Sequence, residues 1–171
     1  NVIKYSRKNI GVNQLKILAS KKKKIFKNSL IVFSGIQRKA DPIEKDKQKN
    51  IMKNYENLSE LNKITHEAKR ILESNNKDFL TEIGELLNKS WYIKKKLSHM
   101  VSNSKIEKLY NFGINNGAVG GKLLGAGGGG YILFLTENEK KQKKLIKSLK
   151  NKVHFRIAGD EAGSEIIYKS F

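Results

Sequence analysis

The sequence predicts an α+β domain built on an antiparallel sheet with its helices on one face. Two observations carry this. Short apolar runs closed by turn residues alternate with longer stretches whose apolar residues recur every three or four positions. From Ser29 onward the order is strand, helices, strand, strand, helix, strand. That is the split βαβ, or ferredoxin-like, order, with the first helix expanded into a helical insertion of three. Residues 1–28 read as a connecting strand and short helix, and 29–171 as the core.

Val2–Tyr5 is apolar and β-branched and reads as a strand. Gly11–Ala19 has Val12, Leu15 and Leu18 at helical spacing and reads as a short helix. Ser29–Phe33 (SLIVF), stopped by Ser34-Gly35, reads as a buried strand. Asp41-Pro42 opens a helix, with Asp41 placed to accept from the free amides and Pro42 suited to the first position. Ile51, Leu58, Leu61, Ala68 and Ile71 continue it as one long helix ending near Ser74. Phe79, Ile83, Leu86, Ser90, Ile93 and Leu97 then step by four and three along one amphipathic face. A further helix begins near Ser102–Ser104, with Ser104 and Glu107 at capping-box spacing, and stops at Asn115-Asn116-Gly117. Ala118–Leu124 and Tyr131–Leu135 read as strands, Glu137–Leu149 as a lysine-rich helix, and Val153–Ile157 and Glu165–Tyr168 as short strands.

The chain has 171 residues, enough for one domain, and begins at Asn1 rather than Met, as expected either of a chain from which something was removed or of a piece of a longer one. It contains no 18-residue apolar run, so no membrane span is supported, and no secretory signal pattern. The absence of Cys excludes disulfides and thiolate metal sites. The formal charge of +19 raises the question of nucleic acid, but its makeup argues against that partner. Only Arg7, Arg38, Arg70 and Arg156 are arginines. The lysines are spread along helices without interleaved aromatics, and even Lys21–Lys24 is a short run. A positive field of this size would still draw in anionic small substrates.

Eight of the fourteen glycines fall between Gly117 and Gly130. Exposed amides without side chains can cradle phosphate oxygens. Gly125–Gly130 matches G-x-G-x-x-G, yet a strand follows it where the dinucleotide fingerprint needs a helix. The Walker A pattern also fails, because Asn116 stands where Gly is required and Leu123 where Ser or Thr is. A plain glycine hairpin is the alternative for any such turn.

The full string Gly117-Ala118-Val119-Gly120-Gly121-Lys122-Leu123-Leu124-Gly125-Ala126-Gly127-Gly128-Gly129-Gly130-Tyr131 closely resembles the third motif of the GHMP kinase superfamily. Its form is most similar to the sugar-kinase branch that includes the heptose 7-phosphate kinases. Leu30–Arg38 (LIVFSGIQR), Asn88-Lys89-Ser90-Trp91 with Lys94-Lys95-Lys96-Leu97, and Gly163-Ser164 resemble further segments of that branch. The resemblance covers nearly the whole chain and implies a GHMP kinase C-terminal domain over residues 1–171. It implies transfer of the ATP γ-phosphoryl group, with ATP and Mg²⁺ bound mainly by an N-terminal domain that is absent from this chain. It also implies that no catalytic residue lies here and that the substrate is a sugar phosphate. For the heptose members that substrate is heptose 7-phosphate, phosphorylated on its anomeric hydroxyl for surface polysaccharide. A cytoplasmic location and a homodimer are compatible with such an enzyme.

The residues expected near phosphate or substrate are Gly120, Gly121, Lys122, Gly125, Ala126, Gly127, Gly128, Gly129, Gly130 and Arg38. Lys122 could neutralise a phosphate or snorkel to solvent. Arg38 could grip a phosphate bidentately, or pair with Asp41 or Glu44. Ser90 and Trp91 read as packing residues, and His66, His99 and His154 as surface residues without metal-ligand spacing. Two other readings stay open: a ferredoxin-like binding module without chemistry, and a GHMP kinase for fucose, galactose or mevalonate.

Overall fold

The computed structural model describes residues 1–159 together with Ile166 and Tyr168. The elements are β1 (Val2–Tyr5), β2 (Ile10–Asn13), α1 (Ala19–Asn28), β3 (Ser29–Phe33), α2 (Asp41–Lys49), α3 (Tyr55–Glu73), α4 (Phe79–Lys96), α5 (Ser104–Asn115), β4 (Ala118–Leu123), β5 (Tyr131–Thr136), α6 (Glu139–Leu149) and β6 (His154–Arg156). The main sheet has the order β4-β5-β3-β6, and every neighbouring pair is antiparallel. This is the split βαβ arrangement expected from the element order. Of the strand expected over Glu165–Tyr168 only Ile166 and Tyr168 are described, and the Gly163-Ser164 pair lies outside the described residues.

Four local expectations are corrected. Residues 10–13 form a strand, β2, paired with β1 across a turn in which Ser6 Oγ donates to Asn9 O. The helical spacing of Val12, Leu15 and Leu18 had no surface to pack on, and Val12 and Leu18 remain exposed. Helix α1 follows instead and uses the lysine run, since lysine is a good helix former. Lys21 within that run is buried. Its Nζ donates to Ile71 O, Leu72 O and Ser74 O at the C-terminus of α3 and lies 4.6 Å from the centroid of the Phe79 ring. A cation there satisfies the last carbonyls and the negative end of the helix dipole.

The long helix is two helices. Asn50 and Asn54 bracket the break; Asn50 Nδ2 bonds back to Asp46 O, and buried Asn54 donates to Leu97 O. Asparagine competes with helical hydrogen bonding in this way. At the start of α2, Ala40 is the cap residue and Asp41 makes no capping bond, although its charge sits in the favourable first turn. Helix α5 is capped by Asn103, whose Oδ1 accepts from Lys105 N and Ile106 N at 3.1 Å each. Glu107 accepts from Lys95 Nζ and Ser102 Oγ rather than closing a capping box.

The core has two parts. Leu30, Val32, Ile132, Phe134 and Leu123 pack with Trp91, Ile106, Leu109, Leu145 and Leu149 of α4, α5 and α6. Leu135, whose side chain alternates to the other face, packs with Ile64, Ile71, Phe79, Leu80, Leu86 and Ile93 of α3 and α4. The helical insertion thus wraps the β4 edge of the sheet and reaches both faces, rather than keeping to one.

Helix α4 takes the place of a neighbouring strand along β4. Asn88 Nδ2 donates to Val119 O at 2.9 Å, and Asn88 Oδ1 accepts from Gly121 N at 3.0 Å and from Tyr110 Oη at 2.7 Å. Lys94 Nζ donates to Leu123 O at 2.9 Å. Side chains therefore satisfy Val119, Gly121 and Leu123 on the otherwise unpaired edge of β4. This closeness rests on two glycines. A Cβ on Gly120 would lie 2.5 Å from Gly84 Cα and closer still to the Gly84 carbonyl.

Candidate functional site

The loop between β4 and β5 turns through Gly125, Gly127, Gly128 and Gly130, all at positive φ. Four of its six carbonyls are engaged by the protein. Gly125 O accepts from Lys94 Nζ at 2.6 Å and Ala126 O from Lys47 Nζ at 2.6 Å. Gly128 O lies 3.5 Å from Asn103 Nδ2, and Gly130 O accepts from Ser34 N at 2.8 Å. The amides divide differently. Gly128 N donates to Val101 O and Gly130 N to Ile36 O, which fastens the loop to its neighbours. The amides of Gly125, Ala126, Gly127 and Gly129 have no partner among the described residues.

These residues border a cavity of about 830 Å³. Ile31, Phe33 and Tyr131 of the sheet form its apolar part, and Arg38 lies on its wall. Arg38 has no ion pair with Asp41 or Glu44. Its guanidinium donates to Met100 O at 3.2 Å and lies against Gly128, where an added Cβ would be 2.9 Å from Cζ. Gly127 is equally confined, because a Cβ there would stand 2.8 Å from Val101 Cα. An apolar pocket with a few convergent donors is the usual form of a small-molecule site. Unpaired amides in a glycine turn favour an anion.

Six of the ten expected site residues line this cavity: Arg38, Gly125, Ala126, Gly127, Gly129 and Gly130. Gly128 supports the loop from behind. Gly120 lies against Gly84 of α4, where it serves the close approach of helix and strand, while Gly121 leaves room for the Phe134 ring and donates to Asn88 Oδ1. Lys122 turns to α4, and its Nζ donates to Ser90 Oγ at 3.1 Å. Ser90 and Trp91 are buried packing residues, and Trp91 lies 6.2 Å from Tyr110, ring centre to ring centre.

Two residues of the site were missed in the sequence, Lys47 and Lys94. Nothing in their spacing distinguishes them from the other lysines, although Lys94 belongs to the Trp91–Leu97 segment. Burial, then the nearby charges of Lys122 and Lys47, push Lys94 down to about 8. Burial also holds Lys122 below its ordinary value. Lys47 is nearly buried and pairs with Glu44 at 2.9 Å. Among the described residues no group of three or more His, Cys, Asp or Glu could hold a metal ion.

Fold and motif together define a GHMP kinase C-terminal domain: the family described as GHMP kinases C terminal matches residues 71–154, and the chain carries that domain. Among curated proteins, it is 33% identical over 146 residues to the D-glycero-alpha-D-manno-heptose 7-phosphate kinase of Campylobacter jejuni, which covers 85% of this chain and 42% of that protein. It is 41% identical over 76 residues to the mevalonate kinase of Methanocaldococcus jannaschii, covering 44% of this chain and 23% of that protein. The crystal structure of the Methanococcus jannaschii mevalonate kinase matches with a TM-score of 0.65 at 26% identity, over 92% of this chain and 47% of that one. The chain spans less than half the length of each of these relatives.

Proposed function

We propose that the chain is the C-terminal half of an ATP-dependent sugar-phosphate kinase, acting on the anomeric hydroxyl of D-glycero-D-manno-heptose 7-phosphate to give the 1,7-bisphosphate. The observation that carries the phosphate part is the glycine loop, where lysines hold the carbonyls of Gly125 and Ala126 while the amides of Gly125, Ala126, Gly127 and Gly129 are unpartnered beside the cavity. The relative from Campylobacter jejuni supports the heptose assignment.

In this reading the sugar oxygen forms a bond to the γ-phosphorus, the bond from that phosphorus to the bridging oxygen breaks, and ADP leaves. The hydroxyl proton passes to a base on the N-terminal half of the same protein. The loop amides and Arg38 meet phosphate oxygens. Their contribution is positioning and charge stabilisation, which dominate phosphoryl transfer. The donors fit phosphate oxygens rather than Mg²⁺, which leaves the metal and most ATP contacts to the other half. A reaction fed by ATP belongs in the cytoplasm.

The test is ATP consumption by the full-length protein on a panel of sugar phosphates and mevalonate, with this chain alone as control. Turnover on heptose 7-phosphate by the full protein and none by the chain is the expected result. Turnover on mevalonate or an unphosphorylated sugar instead would reject the substrate, and turnover by the chain alone would reject the two-part site.

A further inference from the structure

Two lysines stand behind the glycine loop. Lys94 Nζ reaches Gly125 O at 2.6 Å and Leu123 O at 2.9 Å, and Lys47 Nζ reaches Ala126 O at 2.6 Å. Neither lysine lines the cavity. Both come from the helical insertion, Lys47 from α2 and Lys94 from α4.

The geometry of the peptide unit gives these contacts a direction. No cis peptide occurs among the described residues, and in a trans peptide the carbonyl and the following N–H point opposite ways. Fixing Gly125 O on Lys94 therefore turns the Ala126 N–H away from α4. Fixing Ala126 O on Lys47 turns the Gly127 N–H away from α2. These are two of the four unpartnered amides at the cavity. A cation on a carbonyl also polarises its peptide unit and strengthens the N–H as a donor.

We infer that Lys47 and Lys94 are positioning residues for the anion site, holding two consecutive peptide planes so that the Ala126 and Gly127 amides face a phosphate in the cavity. This rests on the phosphate reading of the loop. The surroundings fit the role. Lys94 is half-buried, with Lys47 and Lys122 as like charges and Glu44 as the opposing charge near it. Two cations held this close are unfavourable unless strong acceptors compensate, and the loop carbonyls are those acceptors.

The probe is inorganic pyrophosphate, titrated into the ¹⁵N-labelled 171-residue chain and followed at the Ala126 and Gly127 amides. Residual dipolar couplings of the same two N–H vectors report their orientation without ligand. Expected are amide shifts in the wild type, altered couplings in Lys94→Met and Lys47→Met, and about tenfold weaker binding in each. Lys96→Met removes one charge from the end of α4, where its Nζ sits over the Tyr92 ring, and should leave the couplings unchanged. Wild-type amides that ignore pyrophosphate would overturn the phosphate reading and this inference with it. Binding in the wild type with unchanged couplings and affinity in both lysine variants would overturn the inference alone. Equal weakening by Lys96→Met, with all couplings unchanged, would reduce the lysines to a general charge effect and likewise overturn it.

Discussion

Gly120→Ala should be among the most destabilising single-methyl additions in this domain. The added Cβ would stand 2.5 Å from Gly84 Cα, whereas carbon atoms in contact prefer roughly 3.5–4.0 Å. Both partners are main chain and cannot turn aside, so α4 must retreat from β4 by at least about 1 Å. The bonds from Asn88 to Val119 O and Gly121 N, at 2.9 and 3.0 Å, then exceed hydrogen-bond range, and the Lys94 bond to Leu123 O at 2.9 Å follows. Three hydrogen bonds at about 1 kcal/mol each, with strain in the core beside them, set the loss at about 3–5 kcal/mol. That is a large part of the stability of an ordinary domain, about 5–15 kcal/mol. Urea unfolding followed by fluorescence measures it directly, because the only tryptophan, Trp91, is on α4 and buried. Gly84→Ala is the comparison. Its Cβ would meet chiefly the movable Val119 side chain, at 2.6 Å, so its loss should be the smaller of the two. A Gly120→Ala loss below about 1 kcal/mol, or one smaller than that of Gly84→Ala, would refute the reasoning.

Asn88→Ala removes the surrogate strand contacts and orphans Tyr110 Oη, so it should cost about 2–3 kcal/mol in the same unfolding experiment. Burial, with Glu107 adding to it, pushes the Tyr110 phenol up to about 12, so in the fold it should ionise after an ordinary tyrosine. The native state then holds a proton that the unfolded chain releases, and this contribution to stability is full below pH 10 and falls as pH rises toward 12. Ultraviolet titration of Tyr110→Phe against wild type should remove the latest-titrating phenol. Lys94 works in the opposite sense. Its folded value of about 8 lies below the ordinary 10.5, so the unfolded chain binds the proton more tightly and stability should rise as pH passes from 8 toward 10.5. The rise should shrink in Lys94→Met, and an identical pH profile in that variant would contradict it. Lys21→Met should loosen the C-terminus of α3, seen as faster amide exchange around Ser74 than at the centre of α4.

Much of this was visible in the sequence where one physical signal acted alone. The stripe from Phe79 to Leu97 is α4, because burial and helical period agree along it. SLIVF and YILFL are strands because short, bulky apolar runs closed by turn residues have few other uses. The readings failed where a local pattern met a partner distant in sequence. Val12, Leu15 and Leu18 keep helical spacing, yet residues 2–5 claim residues 10–13 for a hairpin. Asn54 breaks a continuous apolar face to reach Leu97, 43 positions on. The cavity side of the site was legible because glycine is needed where backbone must turn at positive φ. The supporting side was hidden because a lysine that holds a carbonyl looks, in a lysine-rich sequence, like any other.

Lysines that hold carbonyls change what lysine chemistry would do to this protein. Lys21, Lys47, Lys94 and Lys105 each donate to main-chain carbonyls, and Lys21 and Lys94 each gather more than one. An ammonium group offers three donors in a tetrahedral spread, which a flat guanidinium does not reproduce. Wholesale exchange of lysine for arginine, or reductive methylation before crystallisation, would pass unnoticed at most surface positions. At these four it would remove or redirect donors that the backbone depends on. Mass spectrometry of partially methylated protein should therefore find Lys21, Lys47 and Lys94, whose amines are wholly or partly buried, among the slowest to react.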